Sequence, residues 1–579
     1  MDTQVDETGR ELMAKHGPSQ RHPVLVMIAL AGAVALAVVA PFFFLGNASG
    51  HDFEFHLASW MDVAQQWHAG VLYPRWAAFA NWDYGEPRFI FYPPISWMLG
   101  AALSFVFRWS MVPGAFIWVA LTIAGLAMFT LARQWLPTRD AQFAGVLFAL
   151  NPYHLVIVYW RSDFAELLVS ALLPLAVLFA MRMATAPRRA LLPLALVSAA
   201  VWLSNAPAAV IVTYTIALIV VVVAARERSA RPLIYGGGAL ALGLAAAGLY
   251  IVPAMFEQSW VNISEVLSQG LQFPENFLFT RTADAEHTRF NLIISWVAVV
   301  VMVATISALV GARRLRSKAP RLWWVLAVVA AVSALLMLPL SSPLWRHAPE
   351  LRYVQFPWRW LLVLDVPFAF CLAAVLERFR GASRYAAWAA VLAGLAITGL
   401  LLTRSNWWDA GVADFYDEHF RARAGYFGAD EYGPRGSDHY DLDLNAPSVS
   451  LRPNTIAGPT NRVEIQDWGP ARKQFLVQSP QPVTAALRLL NYPAWHVEVN
   501  GKPARTLSSE NTDQMLVPLP AGTSQVRVTF VATPDCRWGD GISALAAAAL
   551  LAAGLASRRR NRRGTMAKGE RYATLLGRS

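Results

Sequence analysis

The chain has 579 residues, 56% of them hydrophobic and 15% charged, with a formal net charge of +11 and a mean hydropathy of +0.38. Such values exceed those of soluble domains and indicate a polytopic membrane protein. The basic excess sits in short clusters between apolar runs, as in RRLRSKAPR (313–321) and RRRNRR (558–563), so it marks topology and excludes nucleic acid as the partner in favour of the lipid bilayer.

After a polar stretch (1–23), the run VLVMIALAGAVALAVVAPFFFL (24–45) is too long for a signal-peptide core and reads as a retained anchor. At roughly 20 apolar residues per span, further candidates lie near 89–107, 112–132, 141–159, 165–183, 190–204, 207–225, 232–254, 290–311, 322–339, 357–376, 384–403 and 540–557. If all cross from an inside N-terminus, the cluster 313–321 and the arginines at 188–189 fall outside, against the positive-inside rule. Removing one crossing, 89–107, returns every basic cluster to the cytoplasm. That segment begins FIFYPPISW, and its paired prolines forbid regular helix through 92–94. The expectation is an α-helical protein of about 12 spans, both termini inside, with 46–110 one long outer loop and 95–107 a helix along or dipping into the membrane. A single broken helix over 190–225 is the alternative.

In the outer loop, SGHDFEFHLASW (49–60) places His51, Asp52, Glu54 and His56 at a membrane exit. A helix from Asp52 to near Gly70 would stack Phe53, Leu57, Trp60, Ala64 and Trp67 in one apolar stripe, with Asp52 and His56 on one edge and Glu54 turned away. The bland reading of that helix is an interfacial amphipathic segment with a solvated polar face. The next outer turn, YWRSDFAE (159–166), carries Arg161 with Asp163 and Glu166 at i and i+3, a pattern that also suits a helix N-terminus. Across a cavity from Asp52 these carboxylates would hold a divalent cation, Mg or Mn, or work as a base. SSPLWRHAPELRYVQFPWR (341–359) supplies Arg352, Gln355 and Arg359, the arginines suited to a lipid phosphate at headgroup depth; Trp358 and Trp360 fit the interfacial aromatic belt. Loop 255–289 carries Glu257, Glu265, Asp284, Glu286 and His287 without recognisable spacing.

From about residue 460 the pattern changes to short strands, among them RVEIQ, KQFLVQ, WHVEV and SQVRVTF, with Asn500-Gly501 as a hairpin turn. A small β-sandwich follows. The expected organisation is a cytoplasmic tail (1–23), a transmembrane domain (24–403), an extracytoplasmic linker (404–459), the sandwich (460–538), a last span (540–557) and a basic cytoplasmic tail (558–579). Cys371 lies in an apolar run and Cys536 far from it, so no disulfide framework is expected. The chain has no Walker A loop, G-x-S-x-G elbow, H-E-x-x-H or C-x-x-C, which disfavours cytosolic nucleotide-driven chemistry.

GHDFEFHLASW, YPRW (73–76), YGEPRFIFYPP (84–94), NPYHLVIVYWRSDFAE (151–166) and QFPWRW (355–360) resemble the bacterial 6-pyruvoyl-tetrahydropterin synthase-related membrane proteins. The tail YPAWHVEVNGKPA…VPLPAGTSQVRVTF looks like the extracytoplasmic domain of YfhO-like membrane proteins. Both groups resemble the GT-C superfamily of membrane glycosyltransferases. The pterin name implies a soluble enzyme with histidine-bound zinc, and no such ligand set stands in this sequence. The GT-C resemblance instead implies sugar transfer from a polyprenyl-phosphate donor to an envelope acceptor at the outer face of the bacterial cytoplasmic membrane. By position it puts Asp52 at the catalytic acidic residue, supported by Asp163 or Glu166; the leading reading adds His56 beside Asp52 and gives substrate contacts to His51, Arg75, Arg161, Arg352, Gln355 and Arg359. No D-x-D triplet is present; DFE is D-x-E and DFAE is D-x-x-E, a departure that bears on metal dependence. The rival classes are a lipid or polysaccharide transporter, for which no inverted repeat is visible, and a non-catalytic envelope-assembly protein.

Overall fold

Apolar runs in lipid must satisfy their backbone N–H and C=O groups internally, and a helix does so within one segment. The computed structural model describes residues 21–436, 438–453 and 461–576. Most of the expected N-terminal tail, 454–459 of the linker and the last three residues of the basic tail lie outside them. In chain order the principal helices are α1 (Arg21–Val39), α2 (Phe53–His68), α3 (Pro94–Leu103), α4 (Val112–Ala132), α5 (Thr138–Ala149) and α6 (Phe164–Arg182). There follow α7 (Pro187–Trp202), α8 (Ala206–Glu227), α9 (Arg231–Ala246), α10 (Gly248–Glu257), α11 (Ala285–Gly311) and α12 (Pro320–Leu336). The last three are α13 (Leu361–Leu376), α14 (Ala382–Arg404) and α15 (Pro534–Leu576).

Among the described residues, nine helices are long and apolar enough to cross a membrane, or up to eleven if each of two bent pairs is one span. The bent pairs are α9 with α10, at 71°, and α12 with 339–347, at 90°. The count expected from sequence included 190–204. That segment forms α7, only 16 residues long and interrupted by Pro193, and it is separated from α8 by a turn in which the Asn205 side chain caps Ala208 N at 3.0 Å. The single broken helix over 190–225 is therefore replaced by two helices, the second capped by Asn205. The proline prediction holds at 92–94: a helical turn ends at Phe91, Tyr92 and Pro93 are extended, and Pro94 opens the ten-residue α3, too short to span.

The chain divides into two units, 1–54 with 106–178 and 272–412, and 55–105 with 179–271 and 413–579. In the first, α4 packs on α1 and α5, and α13 packs on α5, α11 and α12. Gly145 permits the closest approach: a Cβ there would stand 2.6 Å from both Gly125 O and Met27 Cε. Small residues at such crossings let helices meet without a hydrophobic drive in lipid.

In the second unit the strands are β1 (Val449–Pro453), β2 (Arg462–Trp468), β3 (Arg472–Ser479), β4 (Val483–Leu490), β5 (Trp495–Val499), β6 (Lys502–Pro503), β7 (Leu507–Ser508), β8 (Gln514–Leu519) and β9 (Gly522–Phe530). They form two antiparallel sheets, β1-β4-β8-β7 and β2-β3-β9-β5-β6. Asn500 and Gly501 both take positive φ, 51° and 74°, between β5 and β6, as the hairpin signal requires. The first strand falls within the segment expected to be linker. The sandwich core does not close on itself: Trp76, Tyr84, Ile90 and Phe91 of the expected outer loop are buried in one cluster with Phe475, Leu487, Trp495 and Val526.

The topology is testable with exposed sites. With Cys371 and Cys536 replaced by alanine, cysteines at Ala69 and Glu510 should react with an impermeant thiol reagent in intact cells, and one at Ser317 only after lysis. Labelling of the Ser317 site in intact cells would overturn the assignment of the basic loops to the cytoplasm.

Candidate functional site

The segment before α2 is fixed by three short-range devices, all in the first unit. Asn47 and Ala48 pair with Asp409 and Trp408 in a two-residue antiparallel bridge. Gly50 N donates to Ser162 Oγ at 3.1 Å, and Asp52 N donates to Arg161 O at 2.9 Å. Gly50 lies so close that a Cβ would stand 2.6 Å from both Ser162 Oγ and Trp160 O. The facing turn is unusual. A short helix capped by Asn151 passes into one π-turn (Ile157–Arg161), and Ser162 then takes left-handed φ and ψ of 54° and 30° before α6 begins. π-turns often mark functional positions because they re-aim a side chain without ending the helix.

This re-aiming puts Arg161 at the centre of a buried charge cluster. Its guanidinium reaches Glu166 Oε2 at 2.6 Å, Asp163 Oδ2 at 3.0 Å and Asp52 Oδ2 at 3.7 Å. From the short helical turn just before α13 (Pro357–Trp360), Arg359 adds Nε at 3.0 Å from Glu166 Oε2 and Nη2 at 3.4 Å from Asp163 Oδ2. Arg359 Nη1 also donates to Val354 O at 2.9 Å and Gln355 Oε1 at 3.4 Å. Tyr153 donates its hydroxyl to Glu166 Oε1. Arg161 stacks on Trp358, 4.9 Å from the ring centroid, and Arg359 on Phe356 at 4.8 Å. Two guanidiniums and two carboxylates thus balance in charge, and all four side chains are at most 6% exposed.

Asp52 differs. Its side chain is 30% exposed, and its Oδ1 accepts from His51 Nδ1 at 2.9 Å, with the imidazole itself largely exposed. Burial and the neighbouring Asp163 charge work against the charged carboxylate, but the His51 hydrogen bond, with the His51 and Arg161 charges, prevails and holds Asp52 below the usual carboxylate range. The same hydrogen bond, with the Asp52 charge, raises His51.

The structure therefore gathers His51, Asp52, Arg161, Asp163, Glu166, Gln355 and Arg359, and it revises several expectations. Arg359 was expected to offer its fork to a lipid phosphate; here that fork is buried and held by two carboxylates. Trp358 and Trp360, expected in the interfacial belt, are both 2% exposed. Asp163 keeps its helix-start role as well, since its Oδ1 accepts Glu166 N at 2.9 Å. Arg352 is exposed and donates to Tyr353 at 2.7 Å. Arg75 belongs to the second unit and pairs with Asp540 at 2.6 Å. His56, also in the second unit, is buried among the rings of Phe55, Trp60 and Tyr92 and does not stand on a solvated face. The helix starts at Phe53, one residue later than supposed, which leaves Asp52 in the turn before it.

Asp163 and Glu166 are poorly suited to a divalent cation. Each buried carboxylate already lies between two permanent guanidinium charges, which a second cation would have to displace.

Sequence reasoning also missed a second buried polar group, on the face of α2 read as solvated. Asp62 accepts from Gln66 Nε2 (2.7 Å), Phe79 N (3.1 Å), Ala78 N (3.3 Å) and Tyr426 OH (2.9 Å). Burial pushes its carboxyl up to about 6, against those hydrogen bonds. Beside it Arg88 pairs with Glu86 at 2.6 Å and donates to Ser59 Oγ at 2.9 Å. The available signal was the polar spacing Ser59–Asp62–Gln66 on one helix face together with the charged pair inside YGEPRF.

A helical membrane region with a C-terminal β-sandwich defines the class: a multi-pass membrane protein. The chain matches the family described as "6-pyruvoyl-tetrahydropterin synthase related domain; membrane protein" over residues 89–406, more than half its length, and it belongs to that family. No curated protein matches the sequence. Among solved structures it is similar to ArnT from Cupriavidus metallidurans, at 15% identity and a TM-score of 0.39 over 68% of this chain and 67% of that one. It is also similar to the oligosaccharyltransferase of Archaeoglobus fulgidus, at 14% identity and a TM-score of 0.35 over 72% of this chain and 57% of that one. At those values neither likeness assigns a residue of the site.

The cluster makes a stability prediction. Arg359→Ala leaves Asp163 and Glu166 buried with one guanidinium between them, and breaking a buried pair typically costs about 3–5 kcal/mol. Thermal unfolding in detergent should show a marked fall in Tm, and Arg359→Lys should recover only part, since an ammonium cannot reproduce the fork. An unchanged Tm for Arg359→Ala would show that the cluster contributes no net stability.

Proposed function

We propose that this protein is a GT-C-type membrane glycosyltransferase that moves a sugar from a polyprenyl-phosphate donor to an envelope acceptor at the outer face of the bacterial cytoplasmic membrane. One observation carries the reading. Of the three carboxylates around Arg161, only Asp52 is accessible, with His51 on one oxygen and Arg161 near the other. GHD, YWRSDFAE and QFPWRW, which lie in segments resembling the 6-pyruvoyl-tetrahydropterin synthase-related family, are the ones this cluster draws together.

In the reaction, an acceptor hydroxyl oxygen bonds to the anomeric carbon as the bond from that carbon to the carrier phosphate breaks. The phosphate leaves with the bonding pair, and the hydroxyl proton passes to Asp52. A carboxylate held low is a weak base but a persistent charge, which suits orienting the hydroxyl and receiving its proton late in bond formation. Asp163 and Glu166 act as positioning residues through Arg161. Arg352 is the sequence candidate in this unit with an exposed guanidinium for the leaving phosphate. No step runs through a cation. The β-sandwich stands on the outer side in this reading.

The test is sugar transfer from a polyprenyl-phosphate donor in reconstituted membranes, with protein level and Tm checked for each variant. Asp52→Asn should lose about 10²–10⁴-fold in rate, the usual contribution of a general base. Glu54→Gln, exposed on the first turn of α2, should remain near wild type. Near-wild-type transfer by Asp52→Asn would reject Asp52 as the catalytic group.

A further inference from the structure

A different part of the molecule gathers a cluster of arginines outside the candidate site. In the second unit, the turn after α6 and the first residues of α7 and α9 border an open cavity of about 450 Å³, lined by Thr185, Pro187, Tyr235 and the exposed Arg188, Arg189 and Arg231. Three arginines converge there and no acid lines it. Among the described residues none of the three pairs with a carboxylate; Arg188 is held instead by its Nε donating to the neutral Tyr235 hydroxyl at 3.1 Å. Basic loops are ordinary topology signals; these arginines in addition line one concavity. Here α7 and α9 pack closely along their lengths, so arginines some 40 positions apart in sequence face a common space.

The surroundings choose the source of the anion. α9 opens the bent pair read as a membrane span, and α7 is an apolar helix beside it. Immediately after Arg231, Leu233 and Ile234 are 45% and 69% exposed, large apolar side chains turned outward next to the basic cavity. A charged pocket bordered by an outward apolar strip matches a phosphate headgroup with its acyl chains, whereas a free phosphate would use only the arginines. The geometry points to a binding site for an anionic phospholipid, whose phosphate is held by Arg188, Arg189 and Arg231 and whose chains lie against Leu233 and Ile234. The inference is independent of the glycosyltransferase reading.

The test uses the full-length protein delipidated in detergent, with phosphatidylglycerol, phosphatidylcholine of the same chains, and inorganic phosphate as separate probes. Retained lipid is counted by native mass spectrometry. The wild type should hold about one phosphatidylglycerol in strong preference to phosphatidylcholine. The triple variant Arg188→Gln/Arg189→Gln/Arg231→Gln should lose that occupancy about tenfold or more, as loss of charge-assisted bonds implies. The control Arg313→Gln/Arg314→Gln/Arg316→Gln, in another basic loop, should retain it. The milder Tyr235→Phe, which releases Arg188 without removing charge, should weaken occupancy even if the triple variant fails to fold. Equal retention in the triple or Tyr235→Phe variants would overturn the proposal. So would equal loss in the control, and so would competition by millimolar inorganic phosphate that abolishes the lipid preference.

Discussion

Four ionised side chains buried within one hydrogen-bonded cluster constrain the first unit more than any other interaction. Taking a guanidinium or carboxylate out of water costs several kcal/mol per ion even after relaxation, and the cost returns only when every charge is met at good geometry. Arg161 and Arg359 cannot shed their protons, so Asp163 and Glu166 must be held in place for as long as the arginines are buried. The local irregularities nearby follow that demand. The π-turn before Arg161, the left-handed Ser162 and the positive φ of Gln355 (65°) each aim a group into the cluster that a regular helix would aim elsewhere. Such strained backbone persists only where the surroundings over-determine it.

The same balance isolates Asp52. With Asp163 and Glu166 satisfied by two guanidiniums, the next carboxylate along the Arg161 edge shares only the remainder of that charge and keeps an accessible face. A rigid, neutral cluster behind one accessible carboxylate is a means of preorganisation: the reactive group is fixed by partners that need not move when substrate arrives. His51 completes the arrangement from the solvent side.

The second unit solves a different problem. A sandwich of nine strands, two of them only two residues long, builds most of its core from its own side chains, among them Phe475, Leu487, Trp495 and Val526. It closes that core with Trp76, Tyr84 and Ile90, so the segment read as an outer loop is a packed part of the sandwich body. The buried Asp62 and Glu86–Arg88 groups lie in that same segment. Their hydrogen bonds to Tyr426 and Ala429 tie the stretch following α14 to it.

How much of this was legible beforehand depends on the range of the interaction. Helix positions, the break at the paired prolines, the Asn-Gly hairpin and the strand pattern are set by hydrophobic period and local backbone sterics, and the sequence determined them by itself. It also determined which loops carry the charged residues of the candidate site. Only the tertiary structure decided their roles, because an arginine free for phosphate and one locked between two carboxylates have the same one-dimensional signature. Arg359 meets Glu166 across 193 positions, and Asp62 meets Tyr426 across 364. No spacing rule spans such separations; long-range packing and the desolvation of charge set them. The burial of His56 among Phe55, Trp60 and Tyr92 is likewise a tertiary outcome, since helical count alone puts it on a polar edge.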